Sequence, residues 1–169
     1  MGKKSVRENK NMYQQARETA ELTREKAGEQ MVYVSADRIE KIESGRSQAH
    51  PDEVLAMADC YKAPALCNYY CSHECAIGQK HVPEVQEKEL SQIVLEMLAS
   101  LNVLNREKER LIEITVDGEI TEDEYADFAS IRDKLVQISA SVDSMLLWID
   151  KTVAEGKLDR EALEEAAQS

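Results

Sequence analysis

The sequence predicts an all-α protein, a bundle of short helices followed by a long antiparallel helical hairpin. Three observations predict it. Composition favours helix over sheet, since 32% of the 169 residues are charged, 43% hydrophobic and only 5% aromatic, with three Pro and six Gly. Residues 11–66 divide into short apolar-periodic runs that open on capping residues. From residue 84 apolar residues recur every three or four positions through two long runs, with a Gly-containing turn between them.

Residues 1–10 are a basic arm, with Lys3, Lys4, Arg7 and Lys10 and almost nothing apolar. Such an arm either follows a nucleic-acid backbone or is a solvated terminus, and both readings stay open. Helix one begins near Asn11 and presents Met12, Ala16 and Ala20 on one side. Thr23 caps helix two, which runs to about Met31. It contains Gly28, and Gly in a helix interior costs about 1 kcal/mol relative to Ala, so packing has to hold this helix. After the turn at Val32-Tyr33, Ser35 caps helix three, which points Ile39 and Ile42 inward and ends just before Gly45. Pro51 opens helix four, which runs to Tyr61 with Val54, Leu55, Ala58 and Tyr61 closing a small core; His50 precedes it, exposed.

Two short helices joined by a tight turn are how a helix-turn-helix places its second helix in the major groove. Ala16-Arg17, Leu22-Thr23, Val34-Ser35, then Ile39, Ile42, Glu43, Gly45, Pro51, Leu55 and Ala58 make an ordered series. In that series residues 10–66 resemble the lambda-repressor and Cro-like (XRE) helix-turn-helix family. The resemblance implies a repressor-like fold and a transcriptional regulator that binds double-stranded DNA sequence-specifically, as a dimer. It implies an ion pair between Arg17 and Glu43. It also puts Ala36, Asp37 and Lys41 where the family meets base edges, with Ser35 and Arg38 beside them. Ala can touch only a thymine methyl and Asp can accept only from cytosine, whereas Lys41 can donate to guanine or to phosphate. Arg24 and Arg46 are the expected phosphate contacts and complete the DNA-binding set. The turn departs from the family pattern, being one residue longer and lacking its glycine.

Cys67, Cys71 and Cys75 follow, four residues apart, with Cys60 before them and His73 and His81 nearby. On a helix the three share one side, which suits thiolate ligation or redox pairing. One straight helix spreads Cys67 and Cys75 too far to share an ion, so the expectation is helix packing and no bound metal or other cofactor. Gly78 and Pro83 mark a connector.

From Glu84 a long helix carries Leu90, Val94, Met97, Leu101, Leu104 and Leu111, with Ile93, Leu98 and Ile112 widening the stripe. Residues 113–124 partly mimic a calcium loop around Gly118, but Gly118 as a helix stop and Thr121 with Glu124 as a capping box explain them as a hairpin turn. The returning helix, Thr121 to about Glu155, is expected to bury Tyr125, Phe128, Ile131, Leu135, Ile138, Val142, Leu146, Ile149 and Val153 in a coiled-coil-like seam. Val136, Leu147, Trp148, Ile93 and Leu98 then lie on flanks that a second hairpin would cover, which predicts a homodimer through the C-terminal helices; a monomer in which the helix-turn-helix unit covers part of them is the alternative.

The predicted organisation is a basic arm (1–10), a helix-turn-helix domain (11–66), a Cys-containing connector (67–83), a helical hairpin that dimerises (84–156) and an acidic tail (157–169). The net charge of -12 is uneven: residues 1–80 hold 12 Lys/Arg and 12 Asp/Glu, so the whole excess lies beyond them. A neutral first half weakens the electrostatic part of duplex binding, and a helical protein-interaction module with a degenerate helix-turn-helix is the competing reading. A thiol or metal sensor attached to a DNA reader is a third. No run approaches 18 apolar residues and the N-terminus lacks a signal-peptide core, so a cytoplasmic protein with no membrane partner is expected. No nucleophile-base pair, phosphate-binding glycine loop or paired catalytic motif points to an enzyme.

Overall fold

In the computed structural model, which describes residues 10–116 and 118–167, nine α-helices and a 3-10 turn follow one another, and no strand occurs among the described residues. Lys3, Lys4 and Arg7 of the basic arm, and Asp117 of the calcium-like stretch, lie outside the described residues. The chain divides into two compact units. One is drawn from the described residues of Met1–Val85 and Ile149–Ser169, the other is Gln86–Trp148.

The first unit is built on α1 (Met12–Thr19), α2 (Arg24–Gln30), α3 (Ala36–Glu43), α4 (Pro51–Tyr61) and α5 (Ala65–His73). Each of the first three starts on a side chain that accepts a hydrogen bond from a free N–H of its first turn: Asn11 from Gln14, Thr23 from Lys26 and Ser35 from Arg38. Their apolar faces meet in one core of Tyr13, Ala27, Met31, Val34, Ile39, Ile42, Val54, Met57, Ala58, Tyr61 and Leu66. Two expectations are corrected here. Tyr13 rather than Met12 turns inward from α1, where its ring meets Tyr69 edge-on at 5.9 Å. Leu55 is exposed, because Val54, Met57, Ala58 and Tyr61 already fill the inward arc of α4.

Gly28 has a steric reason. A Cβ there would lie 2.9 Å from the Ala36 nitrogen and 3.3 Å from the Val34 carbonyl oxygen. The chain entering α3 passes directly over α2, so the lost helix propensity is offset by a close approach that Ala would block. Tyr33, in the longer turn, stays exposed and donates its hydroxyl hydrogen to the Asp52 carbonyl at 3.0 Å.

The connector is more structured than its Gly and Pro suggest. α5 packs Leu66, Cys67, Tyr69 and Tyr70 on the core and so acts as its fifth helix. A single helical turn, α6 (Gly78–His81), lies against it. Asn68 then brackets the extended segment, donating to the Pro83 carbonyl at 3.0 Å and accepting from the Val85 N–H at 2.9 Å. The next helix therefore starts at Leu90, not Glu84. Also in this unit, α9 (Arg160–Ala167) ties back through Arg160 to Asp150 at 2.8 Å.

The second unit contains α7 (Leu90–Thr115), the 3-10 turn Glu122–Glu124 and most of α8 (Tyr125–Ala154). Thr121 and Glu124 form a capping box, the Glu124 carboxylate accepting from the Thr121 N–H at 3.0 Å. Arg110 reaches across the hairpin to Asp127 at 2.6 Å. The expected seam of α8 is corrected. Ile131 is buried, but Tyr125, Leu135, Val142 and Leu146 are exposed, and it is Ser141 and Ser144 that turn inward. Both hydroxyls donate to their own helix, to the Gln137 and Ala140 carbonyls, so burying them leaves no donor unpaired. Ile93, expected on a flank, is fully buried, as is Ile114. No helix among the described residues is long and apolar enough to cross a membrane.

Candidate nucleic-acid interface

α3 is held by two carboxylates at its ends. From its C-terminal turn Glu43 reaches into the bundle, where Arg17 Nε donates to one oxygen at 2.6 Å and Arg17 Nη2 to the other at 3.0 Å. Arg17 also donates to the Leu22 carbonyl at 2.7 Å, which closes the loop between α1 and α2. Arg24, at the start of α2, adds a third donor to Glu43 at 2.8 Å. One buried carboxylate thus joins α1, α2 and α3. Burial is the largest single influence on the Arg17 guanidinium and pulls it down, but the hydrogen bond and the charge of Glu43 together outweigh this, with smaller help from Tyr61 and Glu18, and keep it above its ordinary value. The Tyr61 hydroxyl lies buried beside this cluster with no hydrogen-bond partner among the described residues, and burial pushes it well above the ordinary tyrosine range.

The other carboxylate is Glu53, in the first turn of α4. It accepts from the His50 N–H at 2.8 Å, a free donor at that helix start, and from Arg38 Nε and Nη2 at 2.6 and 2.7 Å. Arg38 further donates to the Ser47 hydroxyl and to the Gln48 carbonyl. Its guanidinium is therefore spent on the α3–α4 loop. The Glu53 carboxyl sits below its ordinary 4.5, drawn down first by the Arg38 hydrogen bonds, against burial, and then by the His50 N–H.

That shift gives a pH dependence of defined sign. Because the folded value is the lower one, the stability that Glu53 contributes is complete above about pH 4.5 and is lost as the pH falls through the folded value. Arg38→Met is expected to melt at a lower temperature than the parent at neutral pH, with the gap narrowing as the pH falls below about 4.5. Thermal melts of both proteins across that range check it, and a gap independent of pH would show that the pair contributes no acid-sensitive stability.

What α3 offers to solvent is set by these ties. Gly45 ends the helix with its own N–H on the Ile42 carbonyl and the Arg46 N–H on that of Lys41, at 3.0 and 2.9 Å. Ser35 is occupied as the N-cap, and Ala36 is half-buried. Asp37 and Lys41 are exposed one turn apart. Arg46 pairs with Glu40 and donates to the Ser44 hydroxyl. Among the described residues, Lys26 and Lys41 are the cations of α2 and α3 that no carboxylate engages. Sequence reasoning missed the Glu53 clamp on Arg38. The spacing of His50 and Glu53 signals the cap, with a carboxylate at the third helical position, but carries no sign of Arg38 as its second partner.

The cysteines do not converge. Among the described residues no group of three or more His, Cys, Asp or Glu is placed to hold a metal ion. All four thiols are free, and burial pushes those of Cys60 and Cys67 up, away from reactive thiolate.

No curated protein and no solved structure matches the chain. Residues 14–66, the stretch from α1 to the start of α5, match the family model of a helix-turn-helix domain, a DNA-binding type.

Proposed function

We propose that the chain is a transcriptional regulator of the cytoplasm that binds a specific double-stranded DNA site through α3, two copies acting together through their C-terminal helices. The observation that carries this reading is the matched domain, in which a capped and braced α3 presents Asp37 and Lys41 to solvent. Lys41 is then the base or phosphate donor and Asp37 the cytosine acceptor. Arg24 and Arg46 supply phosphate contacts from the two ends of the motif. Only Nε of Arg24 is engaged with Glu43, so its terminal nitrogens keep donors for a phosphate oxygen. The pattern shared with the XRE repressors belongs to this reading.

A second reading has its own support. Arg24, Arg38 and Arg46 each face an internal carboxylate, which lowers the free positive charge of the motif and favours a helix-turn-helix used as a protein-interaction module. Fluorescence anisotropy separates the two, with labelled duplex from the upstream region of the protein's own gene set against random duplex and titrated with salt. Sequence preference with a steep salt slope supports the regulator. No binding even at low salt supports the interaction module.

A further inference from the structure

Most exposed apolar residues on α7 and α8 fall into two stripes, with Leu95, Tyr125 and Val136 off them. On α7, Leu90, Leu98, Leu101 and Ile112 are exposed, and Val94 half-buried, along one stripe. On α8, Leu135, Val142 and Leu146 do the same. Val94 follows the buried Ile93, and Val142 follows the buried Ser141, so each stripe lies one residue, about 100°, onward from an inward-facing position. α7 and α8 run in opposite directions. A displacement in the same rotational sense from two facing antiparallel helices brings both stripes to the same side of the hairpin. They form one apolar face, broken between Leu101 and Ile112 by Asn105 and Lys108.

Charge marks the same region. Between Leu90 and Asn105 the only charged residue is Glu96, which Lys88 engages at 2.6 Å, and between Leu135 and Ile149 the only one is Asp143. The charges of α7 beyond Asn105 and of α8 before Leu135 gather toward the tip, between Arg106 and Lys134, while Glu87, Lys88 and Glu89 precede α7 and Asp150 and Lys151 follow on α8. A large solvent-exposed surface without charge is what the centre of a protein interface looks like. Three- and four-residue spacing along both stripes fits it to other helices carrying the same spacing.

We propose that this face, built on Leu98, Leu101, Leu135, Val142 and Leu146, docks the same face of a second copy of the chain to make a four-helix bundle. The inference deepens the reading of a regulator acting in pairs and rests on it, and it moves the contact away from Leu147 and Trp148. A heterologous partner of fixed charge would have nothing to recognise here, whereas a second copy presents the matching seam at equal concentration. Two helices side by side over these charge-poor stretches give a face about 20 Å long and about 20 Å wide, so roughly 400 Å² per chain, about half the ~800 Å² per partner of stable complexes, and the pair is expected to dissociate on dilution. An isologous contact of this kind also leaves two recognition helices in one particle.

The test is the mass of the full chain by light scattering over a concentration series, with circular dichroism on the same samples. The wild type is expected at twice the chain mass at tens of micromolar. Leu98→Glu combined with Leu135→Glu is expected to give a single-chain mass over the same range, a weakening of at least about a hundredfold, with helix content and melting temperature retained. Both side chains are already exposed within one chain, so the fold tolerates Glu there; Leu146→Glu alone is the second variant should the double variant lose helix. A wild type that is double in mass, unaffected by these changes but dissociated by Leu147→Ala with Trp148→Ala, keeps the pairing and overturns this face. A wild type of single-chain mass overturns both, and leaves DNA binding to its own assay.

Discussion

Glu43→Ala is expected to lower folding stability by about 3 kcal/mol or more, the usual size for leaving a buried charge without its partner. The substitution removes three hydrogen bonds at once, two from Arg17 and one from Arg24. Arg17 exposes only 8% of its side-chain surface and would retain only the Leu22 carbonyl. Because Glu43 joins three helices, the loss falls on the assembly of the bundle and not on α3 alone. Glu43→Gln, which keeps the shape and one acceptor oxygen, should lie between the alanine variant and the parent. Urea denaturation of the three proteins decides it. A loss under about half a kcal/mol for the alanine variant, typical of surface positions, would mean that the carboxylate braces nothing.

The second large effect is expected at Gly78. A Cβ on this residue would fall 2.6 Å from the Cys71 carbonyl carbon and 2.9 Å from its Cα, against backbone that cannot rotate away. Gly78→Ala should therefore lift α6 off α5 and cost about 3 kcal/mol, at the upper end for overpacking. Gly78 accepts from the Val82 N–H at 2.7 Å and donates to the Cys75 sulfur, so the displacement breaks the local backbone pairing as well. Hydrogen exchange locates the damage. Protection should fall from Cys71 through Val85 while the amides of α3 keep theirs, whereas an unchanged profile with full stability would show that α6 does not rest on α5.

Much of the first unit could be read before any coordinates. Thr23, Ser35 and Gly45 are local signals, each acting within one helical turn, and Pro51 and Tyr61 bound α4 as its composition suggested. What escaped was long in sequence or small in side chain. Arg38 and Glu53 are fifteen residues apart, and no periodicity announces which carboxylate an arginine will take. Arg24 likewise looks like a free cation until α2 is laid against Glu43. In the hairpin, spacing by threes and fours found the stripe of α8 but not the side that packs within one chain. Ser141 and Ser144 read as polar, yet their hydroxyls are satisfied within the helix and their small size lets α8 bury that arc. The cysteines were legible as packing residues from their type. Their spacing suggests ligation, while the structure uses Cys60 and Cys67 as small hydrophobes packed on the core.

The most direct measurement on the proposed regulator is the anisotropy titration repeated with Lys41→Ala on the upstream and the random duplex at one fixed salt concentration. Lys41 is the exposed cation of α3 that no carboxylate engages, and its loss leaves both buried carboxylate clusters intact. If α3 reads DNA, the variant should lose roughly tenfold or more in affinity for the upstream duplex, within the ~1–3 kcal/mol of a good base contact, and its preference over random duplex should shrink. Equal affinity of parent and variant for the upstream duplex would contradict recognition through α3.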